Sequence, residues 1–306
     1  MNTILCTTST FNALDAFDAY KDKLTVLINP YKRKLTEEEL YNLILEHQPV
    51  GIIAGVEPIT KAVLSKAKNL KVISRAGVGM DSVDLEAASS KGIIVTNTPN
   101  APTVPVAELT LGLILSVLRG ITYSDSSIRK QEWNRPMGWM LSGKTVGIIG
   151  CGRIGTYVAR LCSAFNCKLL GFDKYVKSHE YCKMVPLDRL LVESDIITLH
   201  VPYDAETHKL IGKEALALLK PTAVLINTSR GGLIDENALY FALKEGKIAG
   251  AALDCFEEEP YKGPLNHLNN VVLTAHIGSY AREARLLQER QAAENMIEYL
   301  KKQGVL

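Results

Sequence analysis

Short runs rich in branched aliphatic residues recur through the first hundred positions: Thr3 to Thr8, Thr25 to Asn29, Val50 to Gly55, Lys71 to Ala76 and Ile93 to Asn97. Their length and β-branching predict buried strands. Amphipathic stretches fill the gaps. The clearest starts at Thr36, whose hydroxyl can cap a helix while Glu39 closes a capping box, with Leu40, Leu43 and Ile44 as the inward stripe. Strands that alternate with helices predict a parallel sheet.

A proline-rich junction follows (Pro99, Pro102, Pro105), and from about Val106 a long helical pattern carries Leu109, Leu113, Ile114 and Val117 on one side. It reads both as a core helix and as one that packs against a second subunit. From Lys144 the alternation restarts, with strands expected at Thr145 to Gly150, Lys168 to Asp173, Ile196 to Val201, Ala223 to Thr228, Ile248 to Leu253 and Val271 to Ala275. Ala281 to Lys302 is expected as a closing helix anchored by Leu286, Leu287, Met296, Ile297 and Leu300, returning to the first domain.

Length and composition narrow the class. At 306 residues there is room for about two domains, and 47% apolar with 22% charged residues is ordinary globular usage. Thirty-five Lys and Arg against 33 Asp and Glu, without a basic run, leave no surface suited to nucleic acid or anionic lipid. The longest apolar stretch, Leu109 to Leu118, is about half of a membrane span, and Met1 to Thr8 has no secretory-signal pattern, so a cytoplasmic protein is expected. Six scattered cysteines without a C-x-x-C predict reduced thiols and no zinc ribbon, and no metal cluster emerges. Cys151 reads as turn packing or as a thiol made oxidisable by a helix N-terminus. His47, His179, His208 and His267 have no setting that implies chemistry and are expected to be exposed.

Gly150, Gly152 and Gly155 form G-C-G-R-I-G between the strand ending at Ile149 and a helical run. In that context the first glycine permits a tight turn, the second lets backbone approach a pyrophosphate, and the third lets helix and strand pack closely. The next strand ends in Asp173, 18 residues after Gly155, where a carboxylate would accept bonds from ribose hydroxyls and repel the 2′-phosphate of NADP. NAD is therefore the expected dinucleotide. Lys174 beside it reads as a solvated lysine or as a charge for that 2′-phosphate.

Three later segments place polar groups just beyond strand ends: N-T-S-R-G-G with Arg230, D-C-F-E-E-E-P with Glu259, and T-A-H-I-G-S with His276. Reduction of a ketone delivers hydride to carbon and a proton to oxygen, and an imidazole can act as acid one way and base the other. A guanidinium fork matches a carboxylate. A carboxylate beside an imidazole favours the protonated ring and fixes its orientation. Glu257, Glu258 and Glu259 would otherwise read as a solvated acidic run.

In this order after the glycine-rich turn, these segments resemble the D-isomer-specific 2-hydroxyacid dehydrogenase family, in particular its phosphoglycerate dehydrogenase and hydroxypyruvate or glyoxylate reductase subgroup. The resemblance extends through S-R-A-G-V-G-M-D (Ser74 to Asp81), N-T-P-N (Asn97 to Asn100), V-A-E-L-T (Val106 to Thr110) and H-I-G-S (His276 to Ser279). It implies an α/β protein of two doubly wound parallel-sheet domains. A flavodoxin-like substrate domain would comprise residues 1–98 and 281–306, and a Rossmann NAD-binding domain residues 99–280, with a dimerisation helix near 104–130, a cleft between the domains and a homodimer. By position, Arg230 would bind substrate carboxylate and carbonyl, His276 would be the acid/base, and Glu259 would tune it. Asp254 would lie near the nicotinamide carboxamide, and His200, Val201 and Pro202 would form the adenine wall. Arg153, Ile154, Thr207, Thr228, Ser229 and Gly278 would complete the cofactor site. The N–H groups of Val78 and Gly79, with Arg75 nearby, would bind the substrate carboxylate.

The implied reaction is reversible hydride transfer between NAD and a small 2-keto or D-2-hydroxy acid. Two alternatives stay open: 3-phosphoglycerate as the substrate, or an NAD-responsive corepressor that binds without turnover. Phosphoglycerate-acting relatives commonly carry an arginine after the third strand, where this chain has G-V-E-P (Gly55 to Pro58). Glu57 there reads as a charge that repels phosphate or as a solvated loop carboxylate. Glu259 sets the chain apart from formate dehydrogenases, which carry glutamine there. The chain ends about 30 residues after His276, so no appended regulatory domain is expected.

Overall fold

The computed structural model describes residues 1–306 as two compact units, 1–102 with 281–306, and 103–280. Unit 1 begins β1 (Asn2–Cys6), β2 (Leu24–Ile28), α1 (Glu37–His47), β3 (Gly51–Ala54), α2 (Lys61–Lys66), β4 (Val72–Arg75), α3 (Leu85–Ser90) and β5 (Ile94–Asn97). Its five strands are parallel in the order β2-β1-β3-β4-β5. Ile4 lies in register with Val26 on one side and Gly51 on the other. At the head of α1, Thr36 accepts the N–H of Glu39 and the Glu39 carboxylate accepts the N–H of Thr36. The capping box expected from sequence is therefore present.

Unit 2 comprises α4 (Thr103–Arg119), α5 (Ile121–Arg129), β6 (Thr145–Ile149), α6 (Arg153–Ser163), β7 (Lys168–Phe172), β8 (Lys183–Met184), α7 (Leu187–Glu193), β9 (Ile196–Leu199), α8 (Lys213–Leu218), β10 (Val224–Asn227), α9 (Glu236–Lys244), β11 (Gly250–Leu253) and β12 (Val271–Leu273). Its seven parallel strands run β12-β11-β10-β9-β6-β7-β8, so strand order reverses between β6 and β9. Open α/β sheets bind ligands beyond the carboxyl ends of the strands at such a reversal. Leu190, Ile197 and Leu225 fill the core on one face, and Ile114, Val158 and Ile226 on the other. No single helix is long and apolar enough to cross a membrane.

Three local expectations need correction. The single helix expected near 104–130 is two, bent by 66°. Gly120 between them has φ 58, and a side chain there would press on Pro136. In α10 (Arg282–Lys302), which completes unit 1, Met296 and Leu300 are buried as expected, but Leu286 and Leu287 are about half exposed. The inward stripe instead runs through Ala284, Gln288, Glu289, Ala292, Ala293, Met296 and Leu300. Its polar members are satisfied, since Glu289 accepts the backbone N–H of Asn12 at 2.6 Å and pairs with Arg285 at 3.3 Å. His208 and His267 are exposed, whereas His47 and His179 are half-buried. His179 Nδ1 accepts the N–H groups of Tyr181 and Cys182, and its Nε2 meets the Thr156 hydroxyl, so this histidine shapes the loop before β8.

Candidate active site

The glycine-rich turn leaves β6 at the strand reversal. Gly150 has φ 97, and a Cβ there would lie 2.6 Å from the backbone carbon of His200 at the end of β9. A Cβ on Gly155 would overlap the carbonyl oxygen of Gly150, whereas one on Gly152 would meet no protein atom within 4 Å. Two glycines are thus required by the fold, while the third faces open space at the N-terminus of α6, where unpaired N–H groups suit a pyrophosphate. Arg153 and Ile154 form the first turn of α6, Arg153 exposed and Ile154 half-buried. This cradle fits a dinucleotide.

Asp173, beyond β7, is more engaged than its sequence position implies. Its Oδ1 accepts the N–H groups of Tyr175 (2.8 Å) and Val176 (3.0 Å), and its Oδ2 accepts that of Cys151 (2.8 Å). Partial burial opposes its charge. The backbone donors and Lys177 outweigh that and hold the carboxyl below its ordinary range. Lys174 pairs with Glu206. Across the reversal, burial pushes His200 down to about 3, so the ring is neutral at ordinary pH. Its Nε2 meets the Thr198 hydroxyl at 2.9 Å. Val201 is half-buried, Pro202 is exposed, and the Thr207 hydroxyl donates to the Pro202 carbonyl at 2.9 Å.

The acid/base candidates meet at the carboxyl ends of β10, β11 and β12. His276 Nδ1 lies 2.9 Å from both oxygens of Glu259. A carboxylate only accepts, so Nδ1–H is the donor and Nε2 lies on the opposite side of the ring. The side chains are 41% and 35% exposed, open enough for a substrate to reach the imidazole. Glu259 also accepts the N–H of Phe256 at 3.2 Å. Arg230 follows β10, with its carbonyl held by the Asn227 amide (2.8 Å) and its guanidinium donating to the Ser229 carbonyl (2.8 Å). Ser229 donates to the Val201 carbonyl, and Thr228 meets the Thr110 hydroxyl of α4 at 2.9 Å.

His276 occupies the left-handed region at φ 52. That conformation disfavours a residue with a Cβ. Asp254, buried after β11, holds it in place. Its Oδ1 accepts the Thr274 hydroxyl (2.6 Å) and the Ile277 N–H (2.8 Å), and its Oδ2 accepts the Gly278 N–H (2.8 Å). Gly278 is buried where a Cβ would come 3.1 Å from Asp254 and 3.2 Å from Val106. From sequence Asp254 is expected only as a cofactor neighbour, and this clamp is not legible there. Nor is the part of Glu236, which accepts the Glu257 N–H at 2.7 Å and so shapes the segment carrying Glu259. Burial raises the Glu236 carboxyl above its ordinary range, and the charges of Glu257 and Glu259 add to this.

In unit 1, Arg75 is buried, its guanidinium folded beneath the Gly77 turn and donating to the Ala76 carbonyl. Val78 is exposed and Gly79 half-buried on the loop that follows. Glu57 is not the solvated carboxylate that its loop position allows. It is 1% exposed, and its Oε1 accepts the Thr7 hydroxyl and the Gly55 N–H. It closes the carboxyl ends of β1 and β3, where strand order reverses in this sheet.

Residues 111–278 match the family described as D-isomer specific 2-hydroxyacid dehydrogenase, NAD binding domain. The chain is 45% identical over 275 residues to D-3-phosphoglycerate dehydrogenase of Methanocaldococcus jannaschii, covering 87% of this chain and 52% of that one. It therefore spans about half the length of that relative. It is 43% identical over 259 residues to glyoxylate reductase of Thermococcus litoralis, covering 80% and 78%. Among solved structures, the acyclic imino acid reductase Bsp5, in complex with NADPH and D-Arg, superposes with a TM-score of 0.87 at 32% identity, covering 98% and 97%. With a dinucleotide cradle at one strand reversal and the family match running from α4 through His276 to Gly278, the chain belongs to the D-isomer specific 2-hydroxyacid dehydrogenase family.

Proposed function

We propose that the chain is an NAD-dependent oxidoreductase that interconverts a small, unphosphorylated 2-keto acid and its D-2-hydroxy acid. The His276–Glu259 pair carries this reading. When bound, NADH supplies the hydride for the carbonyl carbon. His276 Nε2 then gives a proton to the carbonyl oxygen, and in the reverse direction takes it back. Glu259 holds the ring by Nδ1 and stabilises the imidazolium form. Arg230 engages the substrate carboxylate and polarises the neighbouring carbonyl. In unit 1, the loop after β4 offers the N–H groups of Val78 and Gly79 to a carboxylate. Gly150, Gly152 and Gly155 cradle the pyrophosphate, Asp173 takes a ribose hydroxyl, and the backbone around His200 to Pro202 flanks the adenine.

Glu57 favours glyoxylate or hydroxypyruvate over a phosphorylated acid, because a carboxylate held at this strand reversal by Thr7 and Gly55 repels phosphate. The glyoxylate reductase of T. litoralis, matched over 78% of its length, supports the same substrate class. Asp173 favours NAD over NADP, although the Bsp5 reductase holds NADPH. Trp133, Met137 and Met140, strongly exposed in the segment after α5, fit a homodimer in which a second copy covers them.

The test is steady-state oxidation of NADH and NADPH with glyoxylate, hydroxypyruvate, its 3-phosphate and bulkier 2-keto acids. Turnover of glyoxylate or hydroxypyruvate with NADH, and a relaxed NADH preference in Asp173→Ala, support the reading. Saturable NADH binding without oxidation across the panel overturns it in favour of a binding module, and a clear preference for the 3-phosphate overturns the substrate assignment.

A further inference from the structure

The glycine-rich turn carries a feature that dinucleotide binding does not use. Cys151 is its second residue, and Cys182 lies immediately before β8, 31 positions later in sequence. Both side chains converge over Gly171 of β7. A Cβ on Gly171 would come 2.9 Å from Cys151 Sγ, 3.0 Å from Cys182 Cβ and 2.8 Å from Met184 Sδ, so the absent side chain makes room for a sulfur cluster. Cys151 Sγ lies 4.0 Å from Met184 Sδ. The Cys182 thiol lowers Cys151 below the ordinary thiol range, while Cys151 and burial push Cys182 up. Neither thiol is in a disulfide.

We propose that Cys151 and Cys182 are a site of reversible oxidation whose disulfide weakens dinucleotide binding at the adjoining turn. The electronic arrangement fits an attacking and a resolving thiol. Cys151, as thiolate, attacks a peroxide oxygen to give a sulfenic acid and hydroxide. The Cys182 sulfur displaces the sulfenic oxygen, forming the S–S bond. In sum, two S–H bonds break, the thiols lose two electrons and two protons, and hydrogen peroxide is reduced to two waters. Both thiols are buried, which restricts the reaction to small oxidants.

The link to the cofactor runs through the backbone. The Cys151 N–H donates to Asp173 Oδ2, and Cys151 lies between Gly150 at φ 97 and the open-faced Gly152. Drawing Cys151 onto Cys182 pulls on both the pyrophosphate turn and the ribose carboxylate. By linkage, bound NADH disfavours the disulfide at equilibrium by the factor by which the disulfide weakens NADH, and by covering the turn it shields Cys151 from peroxide.

The inference rests on the turn binding a dinucleotide, which NADH titration of the reduced protein tests separately. The full chain is treated with hydrogen peroxide, with and without NADH, digested without reduction and mapped by mass spectrometry, while NADH affinity is followed by fluorescence. The expected result is a Cys151–Cys182 cross-linked peptide, an NADH Kd raised at least about tenfold, recovery with dithiothreitol, and slower cross-linking when NADH is present. Cys182→Ser, which binds NADH normally when reduced, should keep its affinity after the same treatment. A second variant, Cys182→Ala, guards against a folding defect in the first. Absence of the cross-linked peptide, a cross-link that leaves Kd unchanged, or equal loss of affinity in the Cys182 variants overturns the proposal.

Discussion

Oδ1 of Asp254 accepts the backbone N–H of Ile277 at 2.8 Å, directly after the left-handed His276. The same carboxylate takes Thr274 and Gly278, so the residues flanking the imidazole are tied to the end of β11. A left-handed conformation disfavoured by about 1–2 kcal/mol in a residue with a Cβ is held by three hydrogen bonds to one buried charged group.

Asp254→Asn presents an amide where N–H donors now point, loosening that clamp while nearly preserving volume. Its kcat should fall roughly a hundredfold, the scale expected when a catalytic group shifts by about an ångström. Asp254 is also expected near the nicotinamide, so NADH affinity is measured alongside. A loss confined to affinity, with kcat unchanged, would contradict the positioning role.

Gly152 and Gly155 separate fold from cofactor. Gly152→Ala meets no protein atom within 4 Å and has an ordinary φ of −78, so its Tm should match the parent. Its NADH Kd should rise about tenfold or more, because the new methyl stands where a pyrophosphate must approach backbone. Gly155→Ala overlaps the Gly150 carbonyl and should lower Tm as well. Thermal melts with NADH titrations check both, and unchanged NADH affinity in Gly152→Ala would place the dinucleotide elsewhere.

Asp195 carries a pH dependence of stability. Burial opposes its charge, but the Lys220 ammonium at 2.8 Å and the Thr145 N–H at 2.9 Å outweigh it and hold the carboxyl below its ordinary range. A carboxyl depressed by folding adds stability above its unfolded pKa, near 3.9, and this is lost as pH falls through the folded value. Asp195→Asn should therefore have a lower Tm at pH 7, with the gap from the parent closing below about pH 4. A gap that is constant from pH 7 to pH 3 would contradict this.

Glu57→Ala removes the acceptor for Gly55 N–H and a partner of the buried Thr7 hydroxyl. Unfolding in urea should show a loss of about 1–3 kcal/mol. Stability within about 0.5 kcal/mol of the parent, the range of ordinary surface changes, would return Glu57 to the status of a solvated loop residue.

Features set by local pattern were legible in the sequence. The major strands, the Thr36–Glu39 capping box and the glycine-rich turn each follow from neighbouring residues, and the spacing of Arg230, Glu259 and His276 was readable through the family resemblance. Features set by distant contacts were not. Glu57 is buried because Thr7, 50 positions away, donates to it. Leu286 and Leu287 lie outside the buried stripe because Glu289 turns inward to receive Asn12, 277 positions away. The break at Gly120 could have been suspected from the glycine itself, but the close approach of Pro136 to it could not. Asp254 could have been suspected as a buried carboxylate after a strand, yet its three donors come from a loop beyond the next strand.

The most direct test of the proton-transfer role is His276→Ala, assayed for kcat with NADH and the best 2-keto acid and, by fluorescence titration, for NADH binding. The account predicts a fall in kcat of about 10²–10⁴-fold with an NADH Kd within about threefold of the parent, since the imidazole acts as protons move rather than when cofactor binds. A kcat within tenfold of the parent, or an NADH affinity that falls as far as the rate, would contradict it.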